Sequence, residues 1–102
     1  MSQYMYTTPF GESFEATLME RHYQNGDLAI QMMMPDNEPY GVITTALPGI
    51  QPLDKNCVFL DENNFPGIGE WLESIGVGTA TCRAAQSGFC VYPEYRINTK
   101  ML

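Results

Sequence analysis

Residues 13–34 read SFEATLMERHYQNGDLAIQMMM, and this stretch decides the fold class of the 102-residue chain. Two runs rich in apolar, β-branched and aromatic residues lie on either side of Asn25 and Gly26. An Asn-Gly pair between two such runs is a strong local signal for a β-hairpin, because both residues tolerate the positive φ angles of tight turns. The stretch therefore predicts two antiparallel strands joined by a short loop.

The register of this hairpin depends on the length of the loop. A two-residue type I′ turn pairs Tyr23 with Leu28 and Arg21 with Ile30. If Asp27 instead lengthens the loop by one residue, the register slips by one and the two faces of the strands exchange. The sequence predicts the hairpin and leaves both registers open.

Further strands are predicted downstream of the hairpin. Pro35 ends the second strand, and the high β-propensity of residues 42–47 (VITTAL) predicts a third. The continuous apolar run at residues 57–61 (CVFLD) is typical of a buried central strand. Residues 79–85 are predicted as a strand or an extended segment, and residues 88–97 as the terminal strand.

One helix of about ten residues is predicted within residues 63–76 (NNFPGIGEWLESIG). Asn63 or Asn64 is placed to cap its start, and Pro66 falls in the first turn, where no N–H is needed. Gly76 fits the left-handed position that ends a helix. The apolar positions at helical spacing are Phe65, Ile68, Leu72 and Ile75, with Trp71 beside them, and the solvent-facing acids are Glu70 and Glu73.

These elements predict a single α+β domain over residues 1–102, with a small, mostly antiparallel β-sheet and one helix packed on a face. The start, MSQYMYTTPFGESF, lacks a basic segment followed by an apolar one, so we expect no signal peptide. The apolar runs are too short to span a membrane. An odd number of cysteines, three, favours reduced thiols and a cytoplasmic location.

The charge is strongly negative and unevenly placed. The net charge is −7, and eleven acids lie from Glu12 to Glu73 against only Arg21 and Lys55. From Arg83 onward the balance is positive. Such a field repels nucleic acid and anionic membranes and favours basic partners. The alternative is that the acidity only keeps a small protein soluble.

Residues 84–97 (AAQSGFCVYPEYRI) are the densest stretch in aromatic and reactive residues. We interpret them as the closing strand of the fold, with Gly88 in the turn. Phe89 and Val91 are predicted to fill core space. Pro93 is predicted at a bulge or an edge, where a missing N–H is tolerated.

No catalytic, metal or cofactor site is predicted, and we expect no enzymatic activity. A nucleophile–base pair at Cys90 would need His22, the only histidine, which lies beside the hairpin loop. Cys90 itself has the apolar neighbours of a core residue. Together with Cys57 and Cys82 these residues also lack the closely spaced ligand pairs of zinc sites.

An ordered set of turn, cap and core residues extends over most of the chain, from about residue 14 to residue 97. The set comprises residues 25–30 (NGDLAI), Asp61, Asn63, Asn64, Pro66, Gly76, Gly78, residues 87–89 (SGF), Tyr92, Pro93 and Tyr95. In these residues the chain resembles a family of small bacterial and phage proteins known only as a domain of unknown function. The resemblance implies a shared fold and an occurrence on mobile elements, and it implies no catalytic group.

The small size, the acidity and this resemblance favour a non-enzymatic protein of a phage or mobile element that binds another protein. We expect an anti-defence inhibitor, anti-CRISPR or anti-restriction, whose carboxylates mimic DNA phosphates in the basic channel of a nucleic-acid-binding host defence complex. We expect no direct binding to nucleic acid or membrane. The expected partner-binding residues are Asp36, Glu38, Asp61, Glu62, Glu70 and Glu73.

Two alternatives of other classes stay open. The first is a small cytosolic enzyme or ligand-binding protein with Cys90 in its pocket, which fast reaction with a thiol reagent near neutral pH would reveal. The second is a homodimeric interaction module that pairs through an exposed strand edge, which sedimentation at several concentrations would reveal.

Overall fold

The structure is a computed structural model that describes residues 2–102, and it has two four-stranded antiparallel sheets and one α-helix. Sheet A, in the order β1-β2-β3-β4, consists of β1 (Ser2–Thr7), β2 (Ser13–His22), β3 (Leu28–Met33) and β4 (Pro39–Val42). Sheet B, in the order β5-β6-β8-β7, consists of β5 (Thr44–Thr45), β6 (Cys57–Leu60), β7 (Gly78–Ser87) and β8 (Cys90–Ile97). The helix α1 spans Ile68–Ser74, and short 3-10 turns span Pro35–Asn37 and Thr99–Met101. The predicted α+β class is confirmed, with the strands divided between two sheets.

The β2–β3 hairpin has a loop of three residues, the length of the longer alternative, but Gln24 lengthens it and Asp27 does not. The N–H of Tyr23 donates to the carbonyl of Asp27 at 2.9 Å, and His22 pairs with Leu28. Residues 24–26 therefore form the loop between the hydrogen-bonded Tyr23 and Asp27, and Gly26 takes the left-handed position with φ of 90°. The pairing expected from a two-residue turn is wrong by one residue. The observed register directs the even-numbered residues of both strands to the core.

The strand predicted at residues 42–47 is divided by a corner at Ile43. The N–H of Ile43 donates to Ile30 in sheet A at 3.0 Å, whereas its carbonyl accepts from Asp61, just after β6, at 2.9 Å. Its side chain is fully buried in the core. The chain thus passes from sheet A to sheet B at this residue, which local β-propensity could not show. The predicted central strand at β6 is confirmed, since all four of its residues are buried.

The core lies on the inner faces of the two sheets and includes the apolar side of α1. Its buried residues include Leu18, Ile30, Leu60, Ile68, Leu72 and Ile97. Trp71 of α1 packs against Tyr6 of β1 with ring centroids 4.8 Å apart, and its indole N–H donates to the carbonyl of Met5 at 3.0 Å. These contacts fix β1, a strand that the sequence analysis missed. Among residues 2–102, no helix is long and apolar enough to cross a membrane.

The β7–β8 hairpin ends in a two-residue loop of Gly88 and Phe89. Gly88 has φ of 62°, so its predicted place in the turn is confirmed. Phe89 and Val91 are exposed, and their predicted place in the core is wrong. The reason is that pairing of β8 with β6 ends at Glu94, so the residues before it extend beyond β6 and pair only with β7 among the described strands. Pro93 lies at this end and needs no N–H toward β6, as predicted.

Gly26 provides a test of the observed hairpin loop. Its φ of 90° is strained for any residue that carries a Cβ. Gly26→Ala should lower the free energy of unfolding by about 1 kcal/mol, because alanine takes this conformation only with strain. Gln24→Ala, an exposed change in the same loop, should alter it by less than about 0.5 kcal/mol. Urea denaturation measures both, and equal effects would contradict the three-residue loop.

Candidate functional site

The start of α1 is capped by a carboxylate. Glu62 accepts the backbone N–H of Gly67 at 2.9 Å through Oε1 and that of Gly69 at 2.7 Å through Oε2. The predicted asparagine cap is wrong, since Asn64 instead donates its side-chain amide to Asp61 at 2.7 Å. Gly67 has φ of 82°, so the helix begins one residue after it. A negative charge at this end is also stabilised by the unpaired N–H groups of the helix.

The end of α1 is the glycine stop that the sequence predicted. Gly76 has φ of 76° and donates its N–H to Glu73 at 3.1 Å, while Val77 donates to Leu72 at 2.9 Å. This pair of bonds is the Schellman motif, and the apolar partners Val77 and Leu72 are both buried in the core. Glu70 and Glu73 therefore project to solvent from a helix that is held at both ends.

The acids near α1 surround one buried phenol. Tyr95 of β8 is only 8% exposed, and its hydroxyl lies so close to Gly69 that a Cβ there would be 2.5 Å from it. Burial raises the pKa of Tyr95 to about 12, with further contributions from the neighbouring Glu73 and from the charges of Glu62 and Glu70. Three carboxylates thus converge on one side of the molecule.

We call these three residues and the adjacent Asp61 the acidic face; its members are Asp61, Glu62, Glu70 and Glu73. Three of the six acids predicted to bind a partner thus lie near Tyr95, and a fourth, Asp61, adjoins Glu62 in the chain. The other two, Asp36 and Glu38, lie in the turn between β3 and β4, where Asp36 has φ of 66°. Within residues 2–102, no hydrogen bond or ion pair links that turn to the acidic face. Tyr95 was missed by the sequence analysis, although the small Gly69 in the helix was a signal of close packing.

A buried carboxylate occupies a bulge in sheet B. Glu94 is 1% exposed and lies opposite three residues of β7, at positions 81–83. Its carboxylate accepts from Leu53 N at 2.8 Å and Thr81 Oγ1 at 2.7 Å, and it lies 3.5 Å from Arg83. Cys82, at the centre of the bulge, has φ of 68°. This cluster fastens the loop before β6 to the sheet, because a buried carboxylate needs such partners.

A second arginine is neutralised on the same sheet. Arg96 donates to Asp54 at 2.7 Å, and this hydrogen bond lowers the pKa of the Asp54 carboxyl. The adjacent Cys57 is buried, and burial raises the pKa of its thiol. Arg83 and Arg96 are thus each paired with an acid outside the acidic face. In the part of the chain that the structure describes, no cation lies within ion-pairing distance of the acidic face.

The cysteine–histidine pair considered from the sequence is not formed. His22 binds Glu20 at 2.9 Å and the carbonyl of Gly26 at 3.1 Å, at the tip of the β2–β3 hairpin. The hydrogen bond that His22 donates to the carboxylate of Glu20 raises the pKa of His22. Cys90 begins β8 in the other sheet. Across residues 2–102, no group of three or more histidine, cysteine or acidic side chains is placed to hold a metal ion.

The raised pKa of Tyr95 predicts how stability depends on alkaline pH. The phenol has an ordinary pKa of 10.0 when unfolded and about 12 when folded. It therefore contributes stability that is fully present below pH 10 and is lost as the pH rises toward 12. Tyr95→Phe cannot titrate, so its free energy of unfolding should fall less steeply over this range than that of the wild type.

Urea titrations followed by circular dichroism at several alkaline pH values measure these slopes. Glu73→Gln is a matched variant, because it removes the carboxylate that contributes most to the raised pKa of Tyr95 and keeps the phenol. Its slope should lie between those of the wild type and Tyr95→Phe. Parallel slopes for all three proteins would contradict the assignment.

Comparison with known proteins identifies the family. The sequence pattern of the family described as Domain of unknown function (DUF4313) matches residues 17–102. Comparison with curated proteins finds no match, and comparison with solved structures finds none. The match extends over most of the chain and confirms the resemblance to a family of unknown function. This chain therefore belongs to the family described as Domain of unknown function (DUF4313).

Proposed function

We propose that this chain is a non-enzymatic protein that binds a basic surface of another protein through its acidic face. The observation that carries the proposal is that, among residues 2–102, the acidic face has no cationic partner, whereas Arg83 and Arg96 are paired with acids elsewhere. A group of carboxylates left without cations on a chain of net charge −7 attracts a basic partner and speeds its association.

The rigidity of the acidic face supports the same proposal. Glu62 is held by two backbone N–H groups, and Glu70 and Glu73 stand on a helix anchored at both ends. A preorganised surface loses little conformational entropy on binding, so more of the interaction energy appears as affinity. The carboxylates are therefore well placed to act as a fixed pattern of negative charge.

We further propose that this pattern imitates a nucleic-acid backbone. Residues three apart on a helix have Cβ atoms about 5–6 Å apart, so Glu70 and Glu73 form a short row of charges on one turn. A basic channel that receives phosphates attracts such a row by the same electrostatics. The resemblance to phage and mobile-element proteins makes a host restriction or CRISPR complex the proposed target, and the free cysteines favour the cytoplasm.

The test compares two double variants of equal charge. Glu70→Lys/Glu73→Lys alters the acidic face, and Glu12→Lys/Glu15→Lys makes the same change at exposed positions near the start of β2. Each immobilised protein is used to capture partners from a host-cell extract, and the affinity of the captured protein is then measured at several salt concentrations.

The acidic-face variant should weaken binding at least tenfold and flatten its salt dependence, while the control should bind almost as the wild type does. Equal binding by both variants would refute the proposed face. A short DNA duplex should compete for the basic channel of the captured protein and displace that protein from the immobilised chain. If duplex fails to displace it, the acidic face still binds the partner but the mimicry is wrong.

A homodimeric module is the second candidate, favoured by the free edge of β7. This strand has ten residues and, in the part of the chain that the structure describes, pairs only with β8, so one side of its backbone is open to another strand. Sedimentation over a range of concentrations distinguishes the candidates, because an edge-paired dimer gains mass with concentration and a monomeric binder does not.

A further inference from the structure

A groove crosses the outer face of sheet A, on the side away from α1. Its volume is about 390 Å³, which is within the range of small-molecule sites. In β2 and β3 the even-numbered residues face the core, so the odd-numbered ones form the groove floor. The lining residues are Gln3, Thr17, Met19, Arg21, Met33 and Asn37.

The floor of the groove is made of adaptable apolar side chains. Thr17 pairs with both Gln3 and Met33, so the three form one row across β1, β2 and β3. Met19 lies two residues along β2 on the same face. Methionine is flexible and polarisable and packs against ligands of varied shape. In the run of three methionines at 32–34, Met33 faces the groove, whereas Met32 is fully buried in the core.

One end of the groove carries a cation without a carboxylate partner. Arg21 donates from Nε to the side chain of Gln31 at 3.2 Å and from Nη2 to the sulfur of Met19 at 3.7 Å. No ion pair involves it among residues 2–102. Arg83 and Arg96, by contrast, each lie within ion-pairing distance of an acid. A guanidinium with free N–H groups beside an apolar floor is suited to a carboxylate that bears an apolar body.

The other end of the groove is closed by amides. Asn37 lies in the turn before β4 with φ of 62°, next to Asp36 with φ of 66°. Two successive non-glycine residues in the left-handed region are strained, and such strain clusters at binding sites. The four residue steps from Thr17 to Arg21 span about 13 Å of strand, which sets the length of the groove.

We propose that this groove binds a small free carboxylic acid with a medium-length apolar chain. The carboxylate of the ligand binds Arg21, and its apolar chain lies over Met19 and Met33. The amides of Gln3 and Asn37 lie at the far end of the ligand. The net charge of −7 disfavours ligands with further negative charges, so the site selects monocarboxylates over dicarboxylates. The site lies on the opposite side of sheet A from α1 and is independent of the acidic face.

The test uses octanoate as the probe and the methyl groups of the methionines as reporters in NMR. Octanoate should shift the Met19 and Met33 methyl signals in a saturable manner and leave the buried Met32 signal unchanged. Met19→Leu and Met33→Leu assign the signals. Suberate, with the same number of carbons and a second carboxylate, should bind at least tenfold more weakly.

Arg21→Gln tests the contact with the carboxylate. It should weaken octanoate about tenfold, because it removes a charge-assisted hydrogen bond, and leave the affinity for 1-octanol unchanged. Lys55→Gln is the matched control, because it removes the same charge outside the groove and should have no such effect. Shifts that do not saturate, shifts confined to other methionines, or equal binding by Arg21→Gln would each overturn the proposal.

Discussion

The corner at Ile43 is the constraint on which the arrangement of the two sheets depends. Its N–H bonds to Ile30 in sheet A and its carbonyl to Asp61 beside sheet B, while its side chain is fully buried. The chain can therefore change sheets inside the protein without leaving a buried backbone group unpaired, which would cost free energy. Because β4 and β5 flank this corner, the inner faces of both sheets share one core.

The shared core also determines where the negative charge is displayed. The helix α1 has only seven residues, and so short a helix is stable only through its tertiary contacts. Ile68 and Leu72 make those contacts, so the acids between and after them remain on the solvent side. At the helix start Glu62 is drawn to the free N–H groups, and Tyr95 lies beneath Gly69. The contacts that stabilise the helix are thus those that assemble the acidic face.

The distribution of the few cations gives the molecule two different surfaces. Arg83 and Arg96 are neutralised on sheet B by Glu94 and Asp54. The carboxylates of the acidic face have no such partner within residues 2–102, and they are the residues that we propose bind a basic surface. On the outer side of sheet A, Arg21 stands at the end of the methionine-lined groove. The proposed protein partner and the proposed carboxylic acid therefore use different surfaces, the first around α1 and the second on the outer face of sheet A.

The sequence by itself determined the features that depend on neighbours in the chain. The Asn-Gly loop, the apolar strand at β6 and the glycine stop at Gly76 follow from local turn chemistry and side-chain pattern. The tertiary structure decided the hairpin register, the corner at Ile43, the strand β1 and the exposure of Phe89. Each of these depends on contacts between residues far apart in sequence, such as that of Trp71 with β1.

The same division holds for the candidate site. The acidic composition and the solvent side of α1 were readable from the sequence, because they follow from residue counts and helical spacing. That Glu62 caps the helix, that Tyr95 lies among three carboxylates and that Asp36 lies elsewhere were decided only by the fold. The physical reason is that a charge pattern on a surface is set by which elements pack together, and packing depends on the whole core rather than on any one segment.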